Sequence, residues 1–154
     1  MTEIFFYHLE SRRLEEVLPD LLQKTLARGW RAVVEAALPE RIEALDAHLW
    51  THDPASFLPH GTKADGYEAR QPIYLTASPA NPNNADVIFY VDGAQPAAFE
   101  GPDFERLTRA VLIFNGLDPE AVSRAREQWK LAKAAGHTAT YWRQTGSGKW
   151  EKQG

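Results

Sequence analysis

The stretch Asp86-Val87-Ile88-Phe89-Tyr90-Val91 decides the fold class of this chain of 154 residues. It is a continuous apolar run, preceded by turn-forming residues at 78–84 and followed by a second turn signal, Asp92-Gly93. Unbroken apolar strands are typical of parallel sheets that helices cover on both faces, whereas half-exposed strands alternate. We therefore predict a central strand of an α/β sheet here.

Working outward from this strand, short apolar segments alternate with helical patterns. Residues 4–9, 30–36, 72–76 and 110–114 are predicted strands, and residues 138–142 can add a last one. Apolar spacing predicts a helix that starts near residue 15 and a second that starts at Pro39, a favoured first helical residue. Asp118-Pro119-Glu120 predicts the start of a third helix, which runs to Ala135 and is closed by Gly136. The first helix is expected to hold Pro19 in its first turn and to stop at Gly29. Residues 104–114 fit a strand or a helix, and we favour a strand.

This alternation predicts a single α/β domain over residues 1–143, with a mostly parallel sheet of about five strands and helices on both faces. Residues 144–154, which include Gly146-Ser147-Gly148, are expected to form a flexible C-terminal tail.

Composition excludes several classes of protein. Hydrophobic residues make up 44% of the chain and charged residues 25%, as in ordinary globular domains. The chain contains no cysteine, which excludes disulfide scaffolds, thiolate metal sites and a cysteine nucleophile. It has neither an apolar run long enough to span a membrane nor a signal peptide, so we expect a cytoplasmic protein that does not bind membranes.

Charge is distributed unevenly along the chain. The net charge is −4, which argues against a dedicated DNA-binding protein. Residues 124–154 nevertheless hold seven basic and two acidic residues, a net +5, so the first 123 residues carry −9. A basic C-terminal region on an acidic body is typical of a protein with an acidic partner, although a solvated helix face gives the same pattern.

Motifs for catalysis or cofactor binding are missing from the sequence. Gly146-Ser147-Gly148-Lys149 resembles part of a phosphate-binding loop, but Trp150 takes the Ser/Thr position and no helix follows. The first strand-to-helix turn, at residues 10–13, has no glycine, so the dinucleotide fingerprint is absent. Asp92 and the trio His48, His52 and His60 lack the context of a metal site. We expect no catalytic residue, cofactor or metal.

The last predicted helix carries an unusual surface. Arg126, Lys130 and Lys133 are spaced to share one helix face, and Trp129 flanks that face. A large aromatic among three cations can hold the apolar end of a ligand while the cations hold its carboxylates. The alternative is that Trp129 belongs partly to the core and that its neighbours are merely solvated.

A second unusual segment contains Trp50, Phe57 and Leu58, near the end of the second helix and in the loop that follows. Two large aromatics at such a place can close the edge of the sheet. They can also form an exposed anchor for a partner helix.

Several segments of this sequence, taken together, resemble one known family, the chi subunit of bacterial DNA polymerase III. The similarity runs nearly end to end. The segments that carry it are Phe6-Tyr7-His8-Leu9, Ala27-Arg28-Gly29-Trp30-Arg31, Leu45-Asp46-Ala47-His48-Leu49-Trp50, Ser56-Phe57-Leu58-Pro59-His60, Asp86-Val87-Ile88-Phe89, Ala125-Arg126-Glu127-Gln128-Trp129-Lys130 and Ala134-Ala135-Gly136.

The resemblance implies a Rossmann-like fold without a phosphate-binding loop and a noncatalytic accessory subunit. Such a subunit binds the acidic C-terminal tail of single-stranded DNA-binding protein (SSB), which ends in Pro-Phe. It also binds the psi subunit, which tethers it to the clamp loader, and in some bacteria an iron–sulfur helicase uses the psi-binding surface. Contact with single-stranded DNA is then indirect, through SSB.

The resemblance also implies roles for individual residues. Arg126, Trp129 and Lys130 match the tail-binding positions of the family, and Lys133 stands where another basic residue occurs. Trp50 and Phe57 match the psi-facing Trp and Phe. Two other functions stay open on the residues alone: direct binding of single-stranded nucleic acid by the basic C-terminal face, and a nucleotide-binding enzyme.

Overall fold

The computed structural model describes residues 2–51 and 59–153, which form one sheet flanked by helices. The strands are β1 (Glu3–Leu9), β2 (Ala32–Ala36), β3 (His60–Thr62), β4 (Ile73–Thr76), β5 (Val87–Val91), β6 (Arg109–Asn115), β7 (Thr138–Gln144) and β8 (Trp150–Lys152). The helices are α1 (Leu14–Ala27), α2 (Pro39–Thr51), α3 (Pro102–Glu105) and α4 (Pro119–Ala134), with short 3₁₀ turns at Lys63–Asp65 and Glu68–Arg70.

The strand order across the sheet is β3-β4-β2-β5-β6-β1-β7-β8. All neighbouring strands run parallel except β7 and β8, which are antiparallel. The predicted α/β class is therefore confirmed. The described sheet has eight strands rather than about five, because the three-residue strands β3 and β8 extend it at its two edges.

The strand that decided the fold class lies where it was predicted. β5 pairs with β2 on one side and with β6 on the other. Val87, Phe89 and Val91 are at most 3% exposed on one face of the strand, and Tyr90 is buried on the other. Residues buried on both faces account for the unbroken apolar run.

Helices cover both faces of the sheet and divide the interior into two main apolar clusters. One cluster packs α1 and α2 on the sheet through residues such as Leu18, Leu22 and Leu45. The other packs α3 and α4 on the opposite face and includes Phe6 and Phe104. No helix among the described residues is both long enough and apolar enough to cross a membrane.

The prediction that Pro19 lies in the first turn of its helix is wrong. The helix begins at Leu14, so Pro19 falls in the second turn and is buried there. A proline removes the N–H that would bond to the carbonyl four residues earlier, which here belongs to Glu15. The Nε2 atom of His48 in α2 lies 2.5 Å from that carbonyl oxygen and replaces the missing donor.

Residues 104–114 contain both structures that the sequence allowed. Phe104 lies in α3 and is buried, while Arg109–Asn115 forms β6 in the middle of the sheet. The segment that was expected to be a flexible tail pairs with the sheet through β8, where Trp150 lies opposite Gln144 and Lys152 opposite Trp142.

Candidate functional site on the last helix

Helix α4 begins and ends as its sequence predicts. Asp118 is the N-cap, and its side chain accepts a hydrogen bond from the backbone N–H of Glu120 at 3.0 Å. Pro119 follows at the first helical position, where its missing N–H costs nothing. Gly136 follows the helix with φ +84°, a left-handed conformation that favours glycine. The residues at its two ends therefore fix where the helix starts and stops, and so which side chains it presents.

One side of α4 packs on the sheet and the other faces solvent. Ala125, Gln128 and Ala132 are buried. Arg126, Lys130 and Lys133 are exposed, and Trp129 beside them is half-buried. We call the surface formed by Arg126, Trp129, Lys130 and Lys133 the α4 face. The structure thus brings together the four residues that the helical spacing had grouped.

Trp129 is held by aromatic contacts from below. Its ring lies edge-on to Phe6, with the centroids 5.4 Å apart, and edge-on to Tyr141 at 6.0 Å. Lys133 places its Nζ atom 5.2 Å from the centre of the same ring. Part of the Trp129 ring therefore fills the core, and part remains at the surface among cations. Ligand binding by this ring stays a prediction.

A polar cluster that the sequence analysis missed lies behind the α4 face. Tyr141 extends from β7 and places its hydroxyl 2.5 Å from Nδ1 of His8. Arg143 contacts Glu10 through two hydrogen bonds of 2.7 and 3.0 Å, and Glu10 lies 3.3 Å from the other nitrogen of His8. The alternation of β7, which turns Ala139, Tyr141 and Arg143 toward one face, is the sequence signal that could have identified this cluster.

The electrostatics of this cluster follow from its burial and its cations. Desolvation of the His8 ring is the main reason that its pKa lies below the usual value, and the nearby Arg143 adds to the effect. Burial likewise raises the pKa of Tyr141. The hydrogen bond from Arg143 lowers the pKa of Glu10. Arg126 is close enough to contribute to the pKa of both His8 and Tyr141, which places this cation beside the cluster.

Gly116 closes over the His8 ring. A Cβ atom at this position would lie 2.0 Å from the ring and 2.7 Å from the backbone oxygen of Leu9. Only glycine therefore fits between β6 and α4 at this point.

The cations of the α4 face differ from several other arginines of the protein. Arg12, Arg41, Arg109 and Arg143 all form ion pairs with carboxylates. Within residues 2–51 and 59–153, the three cations of the α4 face form none. Their charges are therefore available to a partner.

The turn between β1 and α1 has an unexpected arrangement. In nucleotide-binding α/β folds this turn presents backbone N–H groups to phosphate. Here the side-chain oxygen of Gln144, from β7, accepts from the N–H groups of Glu10, Ser11 and Arg12 at 2.8, 3.1 and 3.1 Å. Gln144 is only 2% exposed, so a side chain of the protein itself occupies this position.

The other polar residues considered from the sequence are held in structural contacts. Asp92 has φ +48° in a turn and accepts a hydrogen bond from Arg41 at 2.9 Å. His48 contacts the carbonyl of Glu15, and His60 lies 3.2 Å from a carboxylate oxygen of Asp46. Among the described residues no three His, Asp or Glu side chains are grouped as metal ligands would be. His52 lies outside the described residues.

The second predicted surface is described only in part. Trp50 lies at the end of α2 and is 55% exposed, with its ring centroid 4.5 Å from that of His60. Phe57 and Leu58 lie outside the described residues, so the predicted grouping of Trp50 with Phe57 stays a prediction.

Comparison with known proteins identifies the family. Residues 1–140 match the family model described as DNA polymerase III chi subunit, HolC. The chain is also similar to the probable DNA polymerase III subunit chi of Rickettsia prowazekii (strain Madrid E). The two sequences are 32% identical over 118 residues, which cover 76% of this chain and 72% of the relative. Since the family model spans nearly the whole folded region, this chain belongs to the DNA polymerase III chi subunit family.

Proposed function

We propose that this chain, as a chi subunit, is a noncatalytic accessory subunit of DNA polymerase III that binds the acidic C-terminal tail of SSB through the α4 face. We further propose that it couples SSB to the clamp loader through the psi subunit. The observation that carries the first proposal is the combination on the α4 face. Three exposed cations without ion-pair partners in the described chain surround an aromatic ring that the core holds in place.

The aromatic part of the site is preorganised. Contacts with Phe6 and Tyr141 already fix the ring of Trp129, so little side-chain freedom remains to be lost when a ligand binds. The terminal Phe of the tail packs beside the exposed part of this ring in the proposed complex. A flat apolar contact of this kind selects an aromatic end over a purely acidic peptide.

The cations supply the charged part of the recognition. Arg126, Lys130 and Lys133 hold the carboxylates of the tail, the terminal carboxylate included. All three are exposed, so salt largely screens their attraction to charges that lie farther away than about 8–10 Å at physiological ionic strength. Binding is therefore salt-sensitive, and a small site of this kind is expected to give micromolar affinity, about −8 kcal/mol.

The coupling to psi is proposed for the surface around Trp50. A tryptophan that is 55% exposed at the end of α2 is the type of residue that anchors protein interfaces. Trp50→Ala is expected to weaken the binding of a purified psi partner, or of an iron–sulfur helicase that uses the same surface. Binding of the SSB tail is expected to stay unchanged. Retention of psi by this variant in a co-purification would contradict the assignment.

The tail-binding proposal is tested by fluorescence anisotropy with a labelled acidic peptide that ends in Pro-Phe. Lys130→Glu turns an attraction of roughly 1 kcal/mol into a repulsion of similar size, so we expect at least about tenfold weaker binding in low salt. Lys63→Glu is the matched control. It makes the same charge change at an exposed position beside β3, at the opposite edge of the sheet.

The two variants separate local from general electrostatics. The proposal requires that Lys63→Glu binds nearly as tightly as the unchanged protein and that a peptide without the terminal Phe binds weakly. Equal losses in Lys130→Glu and Lys63→Glu would show that only the overall charge matters. Unchanged binding by Lys130→Glu would remove the α4 face as the site.

A further inference from the structure

A second aromatic surface lies on the other face of the sheet, away from α4. We define the aromatic groove by Phe5, Tyr7, Trp142 and Trp150, which are all half-buried. Tyr7 pairs in register with Trp142 across β1 and β7, and Trp142 pairs with Lys152 across β7 and β8. Register partners share a face of the sheet, so Tyr7, Trp142 and Lys152 form one row across the three strands.

The rings of the aromatic groove contact one another closely. Tyr7 and Trp142 are nearly parallel, with an interplanar angle of 14° and centroids 6.5 Å apart. Trp150 lies edge-on to Tyr7 at 4.7 Å, and Phe5 lies edge-on to Trp142 at 6.0 Å. Together with the C-terminal half of α1 they line a cavity of about 340 Å³.

The cavity is lined by basic residues and by no acidic residue of the described chain. Lys24 reaches it from α1, Arg28 from the residue directly after α1, and Arg109 from β6. Glu3 neutralises Arg109 at 2.6 Å, and the Arg109 guanidinium also lies 4.3 Å from the centre of the Phe5 ring. Lys24, Arg28 and Lys152 are exposed and form no ion pair within the described residues. The groove is thus locally positive in a protein whose net charge is −4.

Aromatic rings with cations at their rim have a specific chemical preference. Bases of single-stranded nucleic acid stack on aromatic side chains, while Lys and Arg hold the phosphates. A purely apolar peptide segment bound in the groove would give Lys24, Arg28 and Lys152 no anionic group to contact. Family membership places this protein in DNA replication, where single strands occur.

We propose that the aromatic groove binds single-stranded DNA directly. One or two bases stack against the exposed parts of Trp142 and Trp150, and Lys24, Arg28 and Lys152 contact the neighbouring phosphates. This site lies on the opposite face of the sheet from the α4 face and does not depend on binding to SSB. It adds a direct contact with DNA to the indirect one that the family resemblance implies.

The test is the anisotropy of a fluorescein-labelled oligo-dT of 15 nucleotides, titrated with the full chain at several salt concentrations. Three phosphate contacts predict a log–log salt slope of about −2, at roughly −0.7 per contact for single strands. Lys24→Glu combined with Lys152→Glu is expected to weaken binding about tenfold or more and to flatten this slope. Trp150→Ala is expected to weaken it about tenfold through lost stacking.

Matched variants distinguish this site from the α4 face. Lys130→Glu must retain the affinity for oligo-dT and lose affinity for the acidic peptide. The double variant Lys24→Glu with Lys152→Glu must lose affinity for oligo-dT and retain it for the peptide. Because Trp150→Ala removes a core contact, its urea midpoint is measured alongside. The two lysines are exposed, so their substitution tests the groove without threatening the fold.

Three outcomes would overturn the proposal. The first is no binding of oligo-dT at 50 mM salt with protein in the high micromolar range. The second is loss of oligo-dT binding in Lys130→Glu but not in the lysine pair, which would place the DNA on the α4 face. The third is equal affinity for oligo-dT and for an abasic oligonucleotide or a polyglutamate peptide, because the groove would then recognise charge without bases.

Discussion

Replacing Gln144 by leucine tests whether its side-chain oxygen stabilises the turn between β1 and α1. This oxygen accepts from three successive backbone N–H groups, those of Glu10, Ser11 and Arg12, at 2.8–3.1 Å. Leucine is similar in size and apolar, so the substitution removes the acceptor and leaves the packing volume nearly unchanged. The expected effect is a loss of stability without a change of fold.

The magnitude follows from the surroundings of the three donors. A donor left without a partner costs about 1–3 kcal/mol when buried, and the lower value applies here because Ser11 and Arg12 are partly open to water. Three donors therefore cost about 3 kcal/mol. The Nε2 atom of Gln144 is itself buried without a partner, and its removal returns about 1 kcal/mol. The expected net loss in the free energy of unfolding is about 2 kcal/mol.

Urea unfolding followed by tryptophan fluorescence measures this loss. With a slope of roughly 2 kcal/mol per molar urea, the midpoint should fall by about 1 M. Gln153→Leu is the matched control, because Gln153 is exposed directly after β8 and its side chain has no described hydrogen bond. If Gln144→Leu shifts the midpoint no further than Gln153→Leu does, the three hydrogen bonds contribute nothing measurable and the reasoning fails.

Three other substitutions probe the α4 region by the same urea assay. Gly116→Ala places a Cβ atom 2.0 Å from the His8 ring and should cost about 2 kcal/mol or more; full stability would show that β6 and α4 can separate freely here. Asp118→Ala removes the N-cap bond of α4 and should cost about 1 kcal/mol, and an unchanged midpoint would mean that water replaces the cap. Burial holds the pKa of His8 below its usual value of 6.5, so the unfolded chain binds the proton at a higher pH than the folded protein does. The contribution of the uncharged His8 ring to stability is therefore complete above pH 6.5 and declines as the pH falls below that value. His8→Gln should flatten this decline, and an equally steep curve in the variant would assign the pH dependence to other groups.

The parts of the fold that the sequence predicted are those decided locally. The apolar run at residues 86–91 identified β5, and the Asp118-Pro119 pair identified the start of α4. The position of Pro19 was mispredicted for a different reason. A proline in the second turn of α1 is tolerated because His48 of α2 contacts the carbonyl that the proline leaves without a donor. That contact joins residues 33 positions apart, which no local pattern reveals.

The two unpredicted strands depend on pairing rather than on composition. β3 contains His60, Gly61 and Thr62, and β8 contains Trp150, Glu151 and Lys152, neither of which has a strand pattern. Each is a strand because an edge of the sheet offers free backbone groups to it.

The candidate site divides in the same way. Helical spacing grouped the α4 face correctly, since all four residues belong to one helix. Tyr141 and His8, which lie behind it, come from different strands and meet only through the parallel pairing of β1 with β7.

The order of the strands has a consequence for how the two proposed partners share this protein. The α4 face lies over β6, β1 and β7, whereas Trp50 lies beside β3 at the opposite edge of the sheet. Six strand spacings separate β3 from β7, a distance of about 29 Å at roughly 4.8 Å per spacing. Ligands of the size of a peptide tail at one end and a helix at the other do not collide over that distance. In the proposed complex the chain is a spacer that holds both ligands at once, so that occupation of one end raises the local concentration of whatever is tethered to the other.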